Sequence, residues 1–205
     1  MMRTLQGSIS IGMVIALLVT ACATTTLTST WKDPSYQGTP RKILVIGLAK
    51  KQVNRRIIED EFVRRLNAMG TNAVASSAVM PDATQGDHAV IAATMREQGA
   101  DAVLISRLAS KNTAPAHVHG SFSVIPSAYG TWRDYYAYGS QVLYTPGYTA
   151  EDGFVLVETN LYDARNDKLI WSAASKTEIL GSDQDQIKSY IRIMVSTMAD
   201  QGLVR

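Results

Sequence analysis

The sequence has a single cysteine, Cys22, among its 205 residues. A disulfide within the chain and a cysteine-rich zinc site are therefore excluded. The sequence also has no large excess of charge of one sign: 20 Lys and Arg are balanced by 18 Asp and Glu, for a formal net charge of +2. That balance argues against a nucleic-acid partner, which normally requires a strong basic excess. The apolar content of 46% is enough for a packed core, and the length fits one main domain.

Long hydrophobic runs are missing as well. The apolar segment at residues 11–19 is about ten residues long, against the ~20 that a membrane-spanning helix needs. Arg3 precedes it, and Thr20-Ala21-Cys22 follows it. A positive start, a short apolar run and a small residue before a boundary are typical of a secretory signal.

The segment Val19-Thr20-Ala21-Cys22 resembles the bacterial lipoprotein box. This resemblance implies cleavage before Cys22, a signal peptide over residues 1–21, and acylation of Cys22, which anchors the chain in a membrane. Two or more acyl chains make such anchoring stable. Ala23 after the cysteine resembles the class sorted to the outer membrane. The alternative is an ordinary signal followed by an incidental cysteine.

Residues 22–40 are rich in Thr, Ser, Pro and Gly. We expect a tether there, which spans at most ~60 Å when fully extended. Trp31 indicates that its later part packs on the domain, with residues 28–32 as an edge strand.

Residues 41–205 predict a single α/β domain that begins β-α-β-α-β. Apolar runs and helical stripes place strands at 41–48, 71–80 and 101–108, and helices at 54–69 and 87–99. Right-handed crossovers would make this part of the sheet parallel. An antiparallel hairpin (153–162 and 168–178) and a C-terminal helix follow. We expect a mixed sheet in two or three layers, with an aromatic-rich insertion over residues 112–150.

Several short motifs carry a wider resemblance. They are Thr30-Trp-Lys-Asp-Pro34, Gly99-Ala-Asp-Ala-Val103, Leu161-Tyr-Asp and Lys168-Leu-Ile-Trp171. In this order they resemble a family of uncharacterised bacterial lipoproteins that carry a domain of unknown function. The layout is more distantly similar to the N-terminal domain of the Tol-Pal propeller protein, the curli-secretion lipoprotein and the activators of peptidoglycan synthases. The resemblance implies a fold, an envelope location and a domain that is not an enzyme.

No nucleophile elbow, phosphate-binding loop or zinc-protease helix motif occurs in the sequence. We therefore expect no enzymatic activity and no cofactor. Glu158 is interpreted as an outward strand residue and Asp163 as a turn residue. His117 and His119 form a pair, but a metal site needs at least three protein ligands, so no metal is expected.

Four basic residues follow the first strand without an intervening acid. The candidate anion-contact residues are Lys50, Lys51, Arg55 and Arg56. A helix N-terminus at the carboxyl end of a parallel strand attracts anions. We therefore expect these residues to contact an anionic group of a lipid, of a cell-wall polymer or of an acidic partner. The alternative is a solvated face that the acids at 59–61 neutralise.

The window 122–148 holds eight of the fifteen aromatic residues. Tyrosine-rich loops with Gly and Ser make economical recognition surfaces. The candidate partner or ligand surface is Trp132, Tyr135, Tyr136, Tyr138 and Tyr144. The alternative is a segment that folds back and covers one face of the sheet.

The leading hypothesis is a non-enzymatic lipoprotein of the outer membrane, facing the periplasm, that serves as an interaction or envelope-assembly module. Its partner would be an envelope protein or the cell wall, and its oligomeric state stays open. A small-ligand or glycan binder that uses the aromatic insertion is the alternative. A hydrolase with an unrecognised site is less favoured.

Overall fold

The computed structural model describes residues 24–80, 87–112, 116–118, 131–133, 148–150 and 153–205. Six strands form one mixed sheet, and two short strands pair separately. In chain order the strands are β1 Thr25–Lys32, β2 Lys42–Leu48, β3 Asn72–Ala75, β4 Ala102–Asn112, β5 Ala116–Val118, β6 Tyr148–Ala150, β7 Phe154–Asp163 and β8 Leu169–Glu178. The helices are α1 Gln52–Ala68, α2 Ser76–Val79, α3 His88–Gln98 and α4 Asp183–Asp200.

The six-stranded sheet has the order β1-β8-β7-β4-β2-β3. β2 pairs in parallel with β3 and β4, whereas β4–β7, β7–β8 and β1–β8 are antiparallel. The expected α/β fold with a parallel start, an antiparallel hairpin and a C-terminal helix is confirmed. β5 and β6 form the separate antiparallel pair.

The sheet is the middle layer of three, and strand β2 is covered by helices on both of its faces. Ile43 and Val45 belong to a core cluster shared with α1 and α4. Leu44 and Ile46 belong to a second cluster shared with α3. Successive strand residues point to opposite faces, so an uninterrupted apolar run is what a strand covered on both sides requires. We call the two sides of the sheet the α1/α4 face and the α3 face.

Helices α3 and α4 begin at side-chain caps. Asp87 accepts hydrogen bonds from the backbone N–H groups of Ala89 and Val90. Ser182 and Asp185 form a capping box at the start of α4. Each cap satisfies N–H groups that have no partner within the helix. None of the helices in the described residues is long and apolar enough to cross a membrane.

The strand predicted over residues 71–80 is wrong in its second half. β3 ends at Ala75, and Ser76–Val79 form the short helix α2. The carboxylate of Glu59 accepts hydrogen bonds from the Ser77 N–H at 2.8 Å and the Ser76 hydroxyl at 2.7 Å. Glu59 thereby satisfies the start of this helical turn, which competes with continued strand pairing.

The edge strand expected over residues 28–32 is present and begins earlier than predicted, so the free tether expected from residue 22 does not extend beyond Thr24. β1 forms the edge of the sheet from Thr25 to Lys32. Beyond it, the Asp33 N–H donates to the Ile170 carbonyl at 2.8 Å, and the Thr39 hydroxyl donates to the Gly202 carbonyl at 3.1 Å. This segment therefore runs along the domain, and the expected ~60 Å reach does not apply.

Candidate functional site at the Thr25 end of the sheet

One end of the sheet brings together β1, the helix starts and the basic turn. We call it the Thr25 end: Thr25 pairs with Thr177, Thr177 with Val155, and Val155 with Lys111 across four neighbouring strands. β2 also ends here, so the first turn of α1 lies at the same end. The opposite end, which carries the β7–β8 turn, is the Asp167 end.

The start of β1 is fixed to the body of the domain. The Thr25 hydroxyl shares a hydrogen bond of 2.8 Å with the Thr177 hydroxyl and donates another of 3.0 Å to Ser189 on α4. The Glu178 N–H donates to the Thr24 carbonyl at 3.0 Å. Cys22 precedes Thr25 by three residues, which span at most ~10 Å.

A small groove opens at the Thr25 end between α1 and α4. Its volume is about 100 Å³. It lies at the carboxyl ends of the parallel strands β2 and β4, where α/β sheets commonly bind ligands. The apolar part of its lining consists of Ala49, Ile58, Leu108, Val155, Val157 and Ile187.

The rim of the groove joins the first turns of two helices. The Asn54 side-chain amide donates to Asp183 Oδ2 at 3.2 Å, and Lys51 Nζ lies 3.7 Å from the same oxygen. The Lys51 side chain is 72% exposed, and surface ion pairs of this kind contribute ~0–1 kcal/mol. Lys51 thus stays at the surface, where it can meet other anions.

The hydroxyl of Tyr190 lies among polar groups at the base of the groove. It shares a hydrogen bond with the Ser106 hydroxyl, to which the Thr159 hydroxyl also donates at 3.4 Å. Burial raises the pKa of Tyr190 above its ordinary value, an effect that these hydrogen bonds oppose. The ring packs edge-on against Phe62, with centroids 5.9 Å apart. The phenol is therefore neutral and has its partners within the core.

The basic cluster divides into exposed and buried members. Lys50, Lys51 and Arg56 are exposed. Arg55 is only 2% exposed, and its guanidinium donates to Glu59 Oε1 at 2.9 Å and to the Ser76 hydroxyl at 2.9 Å. The prediction that Arg55 contacts external anions is therefore wrong, because its charge is paired inside the domain.

Glu59 is the residue that sequence reasoning missed at this junction. It is fully buried, and its Oε1 also accepts from the Gly47 N–H at 3.0 Å. A Cβ at Gly47 would lie 3.2 Å from the Arg55 carbonyl oxygen, so glycine permits the close approach of β2 to α1. The signal in the sequence was the i,i+4 spacing of Arg55 and Glu59 along the same stripe as the core residue Phe62.

A second buried ion pair corrects the interpretation of Glu158. Glu158 on β7 lies opposite Arg107 on β4, and both are buried. The Arg107 guanidinium donates to Glu158 Oε2 at 3.0 Å and 2.7 Å. Asp163 also differs from expectation, because it ends β7 as a buried residue rather than lying in the turn. The hydrogen bonds from Arg165 lower the pKa of Asp163.

Of the five aromatic residues predicted as a partner or ligand surface, the structure describes one, Trp132. Trp132 is fully buried in the core cluster on the α3 face. Its indole N–H donates to Asp167 Oδ1 at 2.6 Å, and the Arg133 Nε donates to Asp167 Oδ2 at 2.8 Å. The expectation that Trp132 belongs to an exposed contact surface is therefore wrong. Tyr135, Tyr136, Tyr138 and Tyr144 lie outside the described residues, as does Cys22.

Within the described ranges, no group of three or more His, Cys, Asp or Glu side chains is placed to hold a metal ion. His88 packs beside Trp132, with ring centroids 5.7 Å apart. His119 and the side chain of His117 fall outside what the structure describes.

No protein-family model matches the chain, and no curated protein is similar enough to count as a relative. Solved structures with similar chains include the PelC dodecamer from Paraburkholderia phytofirmans, with 14% identity, coverage of 89% of this chain and 99% of that one, and a TM-score of 0.45. Lipoprotein GNA1162 from Neisseria meningitidis has 16% identity, covers 78% of this chain and 99% of its own, and has a TM-score of 0.41. At these identities and TM-scores, nothing about the function of this chain follows from the likenesses.

Proposed function

We propose that the mature chain is an outer-membrane lipoprotein that faces the periplasm and acts by binding an envelope partner rather than by catalysis. The observation that carries the proposal is the position of Cys22. It closes a Val-Thr-Ala-Cys box after a short apolar run and lies three residues before the fixed Thr25. Acylation of Cys22 then anchors the folded domain at a membrane, and Ala23 favours the outer one.

The buried ion pairs of the described residues lend no support to catalysis. The Arg107–Glu158 pair lies between two sheet strands, and Glu59 ties together β2, α1 and α2. A catalytic acid or base must come within hydrogen-bond reach of its substrate, whereas these groups contact one another inside the core. Their hydrogen bonds join neighbouring elements of the fold, and a hydrolase function has no support from them.

Binding of a small ligand is a second candidate, which the groove at the Thr25 end supports. Its apolar walls and polar rim have the composition of a ligand site. Its volume of about 100 Å³ is well below the ~300–1,000 Å³ of ordinary ligand pockets. A groove of this size takes one side chain or a few methylene groups, which favours the first proposal.

Photocrosslinking in intact cells tests the proposal. A photoreactive residue replaces Trp31 on the edge strand, Arg192 on α4 or Lys168 at the Asp167 end, all of which are exposed. We expect a discrete adduct with an envelope protein or cell-wall polymer from at least one position. The matched control is the same variant with Cys22→Ser, in which the adduct weakens because the domain is no longer anchored.

Two results would contradict the proposal. One is the absence of any adduct from all three positions in the anchored protein. The other is an adduct of equal yield in the Cys22→Ser background, which would show that anchoring does not matter for the contact. A soluble metabolite that raises the melting temperature by mass action would instead favour the second candidate.

A further inference from the structure

We propose that the Thr25 end of the domain is a lipid-contacting surface, and that Val53, Leu108 and Leu180 enter the head-group region of the membrane that holds Cys22. This inference rests on the lipid anchor of the proposed function, which it deepens by orienting the domain. The partner is the lipid surface itself. Three observations on the described residues lead to it.

The first is the length of chain between anchor and domain. Thr25 is hydrogen-bonded to Thr177 and Ser189, so the free segment is confined to the residues before it. Three residues span at most ~10 Å, which is about the diameter of one helix with its side chains. No folded partner domain fits in that distance between this end of the domain and the membrane, which favours lipid as the surface that the Thr25 end meets.

The second is where exposed apolar side chains lie. Among the described residues, four large apolar side chains are exposed, and three of them are at the Thr25 end. Val53 is 60% exposed in the first turn of α1, Leu108 is 47% exposed on β4, and Leu180 is 37% exposed between β8 and α4. The fourth, Trp31, lies on the edge strand β1. Exposed apolar side chains that gather in one region and are rimmed by polar residues are typical of a site that contacts another protein or a membrane.

Leu108 gains its exposure from the backbone. The pairing of β4 with β7 shifts register between Leu108 and Ser110, which is the signature of a bulge. Bulges at the ends of sheets bend the strand and redirect side chains. Leu108 therefore lines the open groove with 47% of its surface exposed, instead of continuing the core.

The third is the placement of lysines beside the apolar side chains. Lys50, Lys51 and Lys111 are exposed at this end. Long lysine side chains keep their stems against apolar surface while the ammonium group reaches phosphates. Three acids lie at this end: Asp183 contacts Asn54 and Lys51, Asp185 belongs to the capping box, and Glu178 ends β8 as a half-buried residue. Because charges of both signs are present at this end, the apolar side chains provide the main contact with the membrane, and the lysines orient the domain on it.

Site-specific fluorescence on the lipidated protein tests this orientation. Because acylation consumes Cys22, the only cysteine of the chain, an introduced cysteine is the single free thiol. Val53→Cys and Leu108→Cys are each labelled with an environment-sensitive nitrobenzoxadiazole dye and reconstituted in phosphatidylethanolamine–phosphatidylglycerol vesicles. The matched controls are Arg41→Cys, at the start of β2, and Lys168→Cys, both exposed at the Asp167 end.

We expect a blue shift of the dye at positions 53 and 108, and quenching there by spin-labelled phospholipid, with neither effect at positions 41 and 168. Equal quenching at all four positions, or none at 53 and 108, would overturn the inference. A blue shift at 53 and 108 without quenching would also overturn it, because a protein or a second copy would then cover this end. Flotation with the vesicles reports on the anchor separately, so failure of the proposed function is distinguished from failure of the orientation.

Discussion

The hydroxyl of Thr25 donates a hydrogen bond of 3.0 Å to the hydroxyl of Ser189, which joins the first strand to the last helix. On the other side, Thr25 hydrogen-bonds with Thr177 of the neighbouring strand at 2.8 Å. The chain is thus held within three residues of Cys22. A lipid on that cysteine leaves the domain little freedom to move away from the membrane.

Thr25→Val is expected to lower the free energy of unfolding by about 1–2 kcal/mol. The substitution keeps the shape of the side chain but removes two hydrogen bonds, each worth ~1 kcal/mol. Thr30→Val is the matched control on the same strand, because Thr30 is exposed and its contact with Gln201 is long, at 3.3 Å. Urea denaturation compares the two. Equal effects would show that the link between β1 and α4 adds no stability.

Glu59→Ala is expected to cost roughly 3–5 kcal/mol of stability, as removal of one partner of a buried ion pair does. It removes the carboxylate to which the guanidinium of Arg55 and the N–H groups of Gly47 and Ser77 donate. The neighbouring exposed Asp60→Ala should change stability by no more than about 0.5 kcal/mol. Chemical denaturation of both variants checks this, and a small loss for Glu59→Ala would mean that solvent enters the junction.

The elements near this junction show what periodicity predicts and what it misses. The apolar run of β2 and the apolar stripe of α1 predict these elements correctly, because a strand buried on both faces and a helix buried on one face each have a characteristic spacing of apolar residues. Arg55 was assigned to the surface since charged residues are mostly exposed. Its burial depends on Ser76, 21 residues away, and on Glu59 together. A contact of that kind appears only when α2 packs against α1.

Trp132→Ala is expected to lower stability by about 3–5 kcal/mol, the usual cost of removing a buried large aromatic. The indole is fully buried and hydrogen-bonded to Asp167. Arg133→Ala, next to it, removes an ion pair whose arginine side chain is 44% exposed, and should cost no more than ~1 kcal/mol. Thermal and urea unfolding measure both. An unchanged transition for Trp132→Ala would restore the view of this ring as a surface contact.

Composition alone did not separate an exposed ring from a packed one in the aromatic window. The partner of Trp132 is a turn residue 35 positions later. That turn has its own local signal, yet nothing in either segment indicates that they meet. The sequence therefore predicted a segment rich in contact-forming side chains but not which surface those side chains contact.

The stability of the protein should fall in acid partly through Asp163. Hydrogen bonds from Arg165 lower the pKa of Asp163 in the folded state. A carboxyl whose pKa is lower in the folded than in the unfolded protein stabilises the fold. This stabilisation is complete above the pKa of the unfolded state, ~3.9, and is lost as the pH falls through the pKa of the folded state. The difference in unfolding free energy between wild type and Asp163→Asn should thus be constant above about pH 5 and shrink below pH 4.

Arg165→Gln is the control for this pH dependence. Without the guanidinium, the pKa of Asp163 moves back up toward its ordinary value, so the part of the acid loss of stability that comes from Asp163 becomes smaller. Urea denaturation at a series of pH values gives both curves. A wild type and an Asp163→Asn variant that lose stability in parallel between pH 5 and 2 would mean that the ion pair with Arg165 does not act on folding.

Both the proposed function and the orientation of the domain depend on a lipid anchor at Cys22, which lies three residues before β1. The most direct test is mass spectrometry of the N-terminal peptide of the protein isolated from the membrane fraction of a bacterium that expresses the full chain. We expect a peptide that begins at Cys22 and carries the mass of a diacylglyceryl group and an amide-linked acyl chain. An N-terminus elsewhere, or a Cys22 with an unmodified thiol in the membrane-bound protein, would contradict it.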